Sequence, residues 1–140
     1  MSTATYLRTR VDRSPVVPAL LVGDVAVLLL FTGIGISTHG GSPLAEPGDL
    51  ALTGAPFVLS WLLLAFLGGL YTVDAVRSPR RALSLTVPAW VVAALLGQVL
   101  RATDVFPGDT ALSFALVTIF AGGALLVGWR LAVATLRSLV

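Results

Sequence analysis

The chain has 140 residues, of which 56% are hydrophobic and 11% are charged, and its mean hydropathy is +0.95. Soluble domains carry about 25% charged residues, so this composition predicts an integral membrane protein and excludes globular, disordered and collagen-like chains. The absence of cysteine excludes disulfides, thiol catalysis and thiolate metal sites. The net charge of +2 comes from arginines in small groups between apolar runs, which excludes the basic face of a nucleic-acid-binding protein.

Four apolar runs are long enough to cross a bilayer: residues 16–37, 51–71, 82–100 and 112–136. A helix needs about 20 residues to span about 30 Å of hydrocarbon. The runs are continuous rather than alternating, which favours helices over the strands of a membrane barrel. The sequence therefore predicts an all-α bundle of four transmembrane helices. Short connectors with turn residues predict one domain, 1–140, built from antiparallel hairpins.

Arginine is concentrated in one of the two alternating sets of connectors. Seven arginines lie before the first run, between the second and third runs, or after the main part of the fourth: Arg8, Arg10, Arg13, Arg77, Arg80, Arg81 and Arg137. The other set holds Arg101 with the polar residues His39, Glu46, Asp49, Asp104 and Asp109. Because arginine-rich connectors stay on the inner side, the sequence predicts a cell-membrane protein with both termini in the cytoplasm.

The basic start and the first apolar run raise the alternative of a cleaved signal peptide. The apolar core of a signal peptide has about 7–15 residues and precedes a small-residue cleavage site. This run is longer, contains Asp24 and lacks such a site. We therefore expect it to be the first membrane span.

Asp24 and Arg130 are the two charged residues placed inside predicted spans. Asp24 lies eight residues into the first run, about 12 Å deep, and Arg130 lies about 9 Å deep from the same side. These depths predict a contact, either direct or through one water. The pair can be structural, with an arginine that snorkels as a variant of that interpretation. Alternatively, Asp24 can mark an ion pathway, as intramembrane carboxylates often do.

His39 and Arg101 are the candidate polar residues at the outer end. A single histidine does not make a metal site, and no other ligand stands at metal-binding spacing, so we expect no metal and no cofactor. An ordinary loop histidine is the alternative interpretation of His39. No phosphate loop, nucleophile elbow, zinc motif or carboxylate pair occurs, so the sequence favours a protein that is not an enzyme.

The aromatic and small residues complete the expected packing. Trp61 is predicted to lie in the core, whereas Tyr71 and Trp129 are predicted to lie in the interfacial aromatic belt. Two pairs of small residues have a spacing that lets helices approach closely: Gly33 with Ser37, and Ala124 with Gly128.

A set of residues in a fixed order gives the chain a family resemblance. The set comprises Asp24, Phe31, Gly33, Gly35, His39, Ala55-Pro56-Phe57, Trp61, Trp90, Gly97, Leu100-Arg101, Ser113-Phe114 and Gly128-Trp129-Arg130. Together they resemble the domain of unknown function 3054 family, small four-helix membrane proteins of prokaryotes. The resemblance covers the greater part of the chain and implies a fold and a membrane location, but no activity. The family often has an arginine where this chain has Ile36.

Two hypotheses of function follow. In the first, the protein is a non-enzymatic membrane bundle that acts as a partner or subunit within the lipid bilayer. In the second, it is a small homodimeric transporter or channel with Asp24 as its ion-coupling carboxylate. A membrane enzyme ranks below both, since the sequence shows no nucleophile, metal or acid–base pair. A wet cavity beside Asp24 would favour transport, and a packed interior would favour structure.

Overall fold

The computed structural model describes residues 2–106 and 112–140 of the chain. Helix α1 spans Thr3–Arg8, and four long helices follow: α2 (Val16–Thr38), α3 (Pro47–Leu67), α4 (Pro79–Arg101) and α5 (Leu112–Ser138). A short 3₁₀ turn, Asp74–Val76, precedes α4. The four long helices are apolar and long enough to cross a membrane, and the described residues contain no strand. The predicted all-α bundle of four transmembrane helices is confirmed.

The four long helices form a closed ring. Helix α2 packs on α3, α3 on α4, α4 on α5, and α5 on α2. Short connections make neighbouring helices antiparallel, so alternate connections lie at opposite ends of the bundle. One end holds residues 2–15, residues 68–78 and the C-terminus of α5, and we call it the arginine-rich end. The opposite end holds residues 39–46 and 102–106, and Asp109 lies outside the described residues.

Helix α3 corrects the predicted range of 51–71. It begins at Pro47, whose fixed φ suits the first position of a helix, with Asp49 in the first turn. It ends before Gly68 and Gly69, where Gly69 has φ +72° and the N–H of Leu70 donates to Ala65 O at 2.9 Å. This glycine C-cap ends the helix four residues before the end of the predicted apolar run.

The start of α4 also lies earlier than the predicted residue 82. The Ser78 hydroxyl accepts a hydrogen bond from the N–H of Arg81 at 3.2 Å, and Pro79 occupies the first turn. Both features are typical helix starts. The charged residues after Pro79 thus belong to the helix rather than to the connector.

The core lies inside the ring of four long helices, around two indole rings. Trp61 is fully buried, as predicted, and its ring centroid lies 6.2 Å from that of Trp90 in an edge-on arrangement. A Cβ atom at Gly122 or Gly123 would lie 2.9 Å from the Trp90 ring. These two glycines therefore let α5 approach the indole closely.

Helix α5 contains a π-helical turn over Thr118–Gly122. Such a turn disrupts the regular ladder of backbone hydrogen bonds. The Ile119 carbonyl accepts a hydrogen bond from Trp90 Nε1 at 3.1 Å. The turn thus gives the buried Trp90 indole a partner within the bundle.

The N-terminal segment, for which the sequence indicated only a basic leader, folds against the end of α3. The Tyr6 hydroxyl donates to Leu67 O at 3.2 Å, and the N–H of Asp12 donates to Tyr71 O at 3.0 Å. An Asp12 carboxylate oxygen accepts the N–H of Val73 at 2.7 Å. These bonds attach residues 6–12 to the connector after α3.

Candidate functional site

Helices α2 and α5 bring Asp24 and Arg130 into direct contact. Arg130 donates through Nη2 to Asp24 Oδ2 at 2.6 Å and through Nε to Oδ1 at 3.1 Å, so the pair is bidentate. The residues are 0% and 1% exposed. The contact predicted from their depths is present without a bridging water.

Three further groups complete the surroundings of this pair. Trp61 Nε1 donates to Asp24 Oδ2 at 2.9 Å, and the Tyr71 hydroxyl donates to the same oxygen at 2.8 Å. Arg130 Nη1 donates to the Leu70 carbonyl at 3.1 Å. We call these five residues, Asp24, Trp61, Leu70, Tyr71 and Arg130, the buried cluster. Its carboxylate accepts four hydrogen bonds, all from protein donors.

The Gly68–Gly69 turn explains why Leu70 and Tyr71 belong to the cluster. The turn reverses the chain at the end of α3 and folds the next two residues back into the bundle. Tyr71 is 5% exposed, so the prediction of an interfacial Tyr71 is wrong. Trp129, predicted for the same belt, is half-buried. Two glycines followed by a leucine and then an aromatic residue were the available signal for the buried position of Tyr71.

The electrostatics of the cluster depend on complete pairing. Removing two charges from water costs several kcal/mol per ion, and only a well-formed pair with additional hydrogen bonds offsets that cost. The rings of Trp61 and Tyr71 lie 5.2 and 5.3 Å from the guanidinium carbon, within cation–π range. Burial, and then the charge of Asp24, raise the pKa of the Tyr71 hydroxyl, so Tyr71 stays protonated and continues to donate.

The structure also brings together the two candidates at the opposite end. His39 and Arg101 line one pocket of about 260 Å³, whose walls include Phe31, Phe57 and Phe114. His39 Nδ1 lies 2.8 Å from the Gly35 carbonyl, which makes this nitrogen the protonated one. The Arg101 guanidinium lies over the Phe114 ring at 4.1 Å. We call this cavity the outer pocket.

The family model described as protein of unknown function (DUF3054) covers residues 21–133. The chain belongs to the DUF3054 family. No curated protein and no solved structure matches the chain.

The DUF3054 match covers both sites but not the segment before α2. All five residues of the buried cluster fall within residues 21–133, as do His39 and Arg101. Tyr6, Arg10 and Asp12 precede the matched range.

The described part of this DUF3054 chain has no group of three histidine, cysteine, aspartate or glutamate residues that could hold a metal ion. The outer pocket offers instead an apolar, largely aromatic wall with polar groups at its edge. The sequence placed its two polar residues at one end of the bundle. The three phenylalanines belong to the set of residues behind the family resemblance, but the sequence did not indicate that they meet in one pocket, because they come from three different helices.

Proposed function

We propose that this multi-pass membrane protein is a non-enzymatic bundle that acts as a partner or subunit, with its arginine-rich end in the cytoplasm. The observation that carries the proposal is the saturation of Asp24. Its carboxylate is fully buried and accepts four hydrogen bonds from three side chains. The intramembrane charges therefore serve to hold α2, α3 and α5 together.

This saturation argues against the transport alternative. An ion-coupling carboxylate has to exchange its proton or ion with water during each cycle. Asp24 has no exposed surface, and freeing it requires breaking the bidentate bond to Arg130 and the bonds from Trp61 and Tyr71. Breaking a buried pair by removing one partner costs about 3–5 kcal/mol. The packed surroundings favour a structural pair.

The outward face of α5 supports the partner role. Its exposed positions include five small residues at helical spacing: Ala121, Ala124, Gly128, Ala132 and Thr135. A Cβ atom added at Gly128 would meet nothing within 4 Å, in contrast to Gly122 and Gly123, which face Trp90. In lipid, helices associate through such small-residue faces. A second copy of the chain or another membrane helix fits this face.

The arginine distribution supports the proposed orientation. The arginine-rich end carries Arg8, Arg10, Arg13, Arg77 and Arg80, among others, whereas Arg101 is at the opposite end. By the positive-inside rule, a C-terminal fluorescent protein should be fluorescent and a C-terminal alkaline phosphatase inactive. The reverse result would refute the orientation.

A liposome experiment separates the proposed role from transport. Purified wild type and Asp24→Asn are reconstituted, and ion and proton fluxes are measured across a pH range. We expect no flux that depends on Asp24. A flux in the wild type that disappears in a folded Asp24→Asn protein would establish the transport alternative instead.

The partner role has its own test on the α5 face. We expect Ala124→Leu to reduce self-association in liposomes, measured by energy transfer between labelled copies, because a bulky side chain separates the helices. Ala51→Leu is the matched control, since Ala51 is also exposed but lies on α3. Equal energy transfer in wild type and both variants would refute self-association through this face.

A further inference from the structure

A polar cavity lies at the arginine-rich end, away from the buried cluster. It has a volume of about 340 Å³ and forms where residues 9–12 meet the Gly68–Gly69 turn. Its lining includes Arg10, Arg81, Asp12, Asp74 and Thr72. We call this cavity the Arg10 pocket.

The guanidinium of Arg10 is held in position by its neighbours. Its carbon lies 4.0 Å from the centroid of the Tyr6 ring, and the Tyr6 hydroxyl is bonded to Leu67 O. Nη1 lies 3.1 Å from the point where a Cβ of residue 69 would stand, so Gly69 makes room for it. A stacked, planar guanidinium is already ordered before it meets a ligand, which lowers the entropic cost of binding.

Within the described part of the chain, the Arg10 guanidinium has no hydrogen-bond acceptor. Its Nε atom is buried without an acceptor, and no carboxylate among residues 2–106 and 112–140 forms an ion pair with it. The carbonyls at the end of α3 favour a nearby positive charge, but none accepts a hydrogen bond from it. A guanidinium nitrogen that faces a cavity without an acceptor can donate to a water or to an anion bound there.

The other charged side chains that line the pocket already form hydrogen bonds or ion pairs within the protein. Asp74 accepts from Arg81 Nε at 3.0 Å, and an oxygen of Asp74 lies 3.3 Å from Arg77 Nη1. Asp12 accepts the N–H of Val73. The N–H of Val73 does not neutralise Asp12, so the two arginines and two aspartates of the described lining balance in charge. Of the two arginines, Arg81 bonds to a carboxylate and Arg10 does not.

We propose that the Arg10 pocket binds the phosphodiester of a phospholipid headgroup. The pocket lies where α3 ends and α4 begins, which is the level of the headgroups beside the hydrocarbon core. Arginine binds phosphate oxygens in a bidentate manner. A phosphodiester carries one negative charge, whereas a free phosphate carries between one and two at neutral pH. Because any anion in the pocket also meets the carboxylates of Asp12 and Asp74, the less charged phosphodiester is repelled less.

The inference needs only the placement of the four helices in a bilayer, so it does not depend on the partner role. The test measures phospholipid retention by native mass spectrometry of purified protein in detergent, titrated with a short-chain phosphatidylglycerol, phosphatidylethanolamine or inorganic phosphate. We expect Arg10→Gln to weaken phospholipid binding about tenfold, as expected for the loss of a charged hydrogen bond. Arg10→Lys, which keeps the charge but loses the planar fork, should weaken it less.

Arg8→Gln is the matched control, because Arg8 is exposed, lies two residues away and does not line the pocket. It removes the same charge and should leave phospholipid binding unchanged. Equal losses in Arg8→Gln and Arg10→Gln would show general charge attraction and overturn the proposal, as would equal retention in wild type and Arg10→Gln. Competition by inorganic phosphate as strong as that by the lipids would overturn the lipid assignment. Circular dichroism of each variant checks that the helices are intact.

Discussion

Within the arginine-rich half of the bundle, the charges of Asp24 and Arg130 are buried and paired with four hydrogen bonds to the carboxylate. At the opposite end, His39 and Arg101 line a pocket that still holds about 260 Å³ of space. In the first region the polar side chains bond to one another in a packed interior, whereas in the second region two polar side chains line an open cavity. The polar residues at the two ends therefore differ in their expected tolerance to substitution.

The largest effect is expected for the buried pair. Asp24→Asn should lower the free energy of unfolding by about 3–5 kcal/mol, because it leaves the Arg130 charge buried without a counter-charge. Unfolding in detergent micelles, followed by circular dichroism, measures this loss.

A double mutant makes that test specific. Asp24→Asn combined with Arg130→Gln should recover much of the loss, because no lone charge stays buried. His39→Gln, at the opposite end, should leave the stability close to that of wild type. Strictly additive losses in the double mutant would show that the two charges do not stabilise each other.

The next effect concerns the Tyr71 donor. Tyr71→Phe keeps the ring but removes the hydrogen bond to the Asp24 carboxylate, and hydrogen bonds to charged groups contribute about 1.5–3 kcal/mol. Tyr6→Phe is the matched control, since its hydroxyl donates to a neutral carbonyl near the surface. We expect the first variant to lose clearly more unfolding free energy in the same assay. Equal losses would mean that the cluster does not depend on this donor.

Alanine substitutions at two glycines test how tightly the core and the outer pocket are packed. A Cβ at Gly97 would lie 2.5 Å from the buried Phe57 ring, so Gly97→Ala should cost about 1–3 kcal/mol by overpacking. A Cβ at Gly35 in the outer pocket would meet nothing within 4 Å, so Gly35→Ala should stabilise the helix by up to about 1 kcal/mol. Thermal unfolding of both variants measures the difference. A destabilised Gly35→Ala protein would indicate that the outer pocket is more tightly closed.

The smallest effect is expected at alkaline pH. Burial raises the pKa of Tyr71 above its usual value of about 10, so its contribution to stability is complete below pH 10 and declines as the pH rises further. The stability difference between wild type and Tyr71→Phe should therefore shrink between about pH 10 and pH 11.5. A constant difference across that range would contradict the raised pKa.

The number of spans and the main ion pair could be predicted because both depend on local patterns. Hydropathy alone marks four runs of sufficient length, and the depth of Asp24 and Arg130 follows from counting residues along regular helices. Their contact then follows from the cost of leaving either charge unpaired in the membrane.

The features that could not be predicted depend on departures from regular helices. Hydropathy does not show that the helix within the apolar run 51–71 ends at the two glycines. The positive φ of Gly69 turns the chain there, so that Tyr71 lies in the core rather than at the interface. The carbonyl of Ile119 accepts the Trp90 indole within a π-helical turn that has no marked sequence pattern. The Arg10 pocket requires the tertiary contact of the N-terminal segment with the end of α3.

The sequence separation of the buried pair affects how the protein is made. Asp24 and Arg130 are 106 residues apart, in the first and last of the four long helices. During synthesis, Asp24 enters the membrane long before its partner exists, at an insertion cost of about 2.5–3.5 kcal/mol near a helix centre. The bidentate contact between Arg130 and Asp24 forms only after α5 has entered the membrane. A chain that stops short of α5 is therefore left with an uncompensated carboxylate in lipid, which distinguishes an unfinished molecule from a complete one.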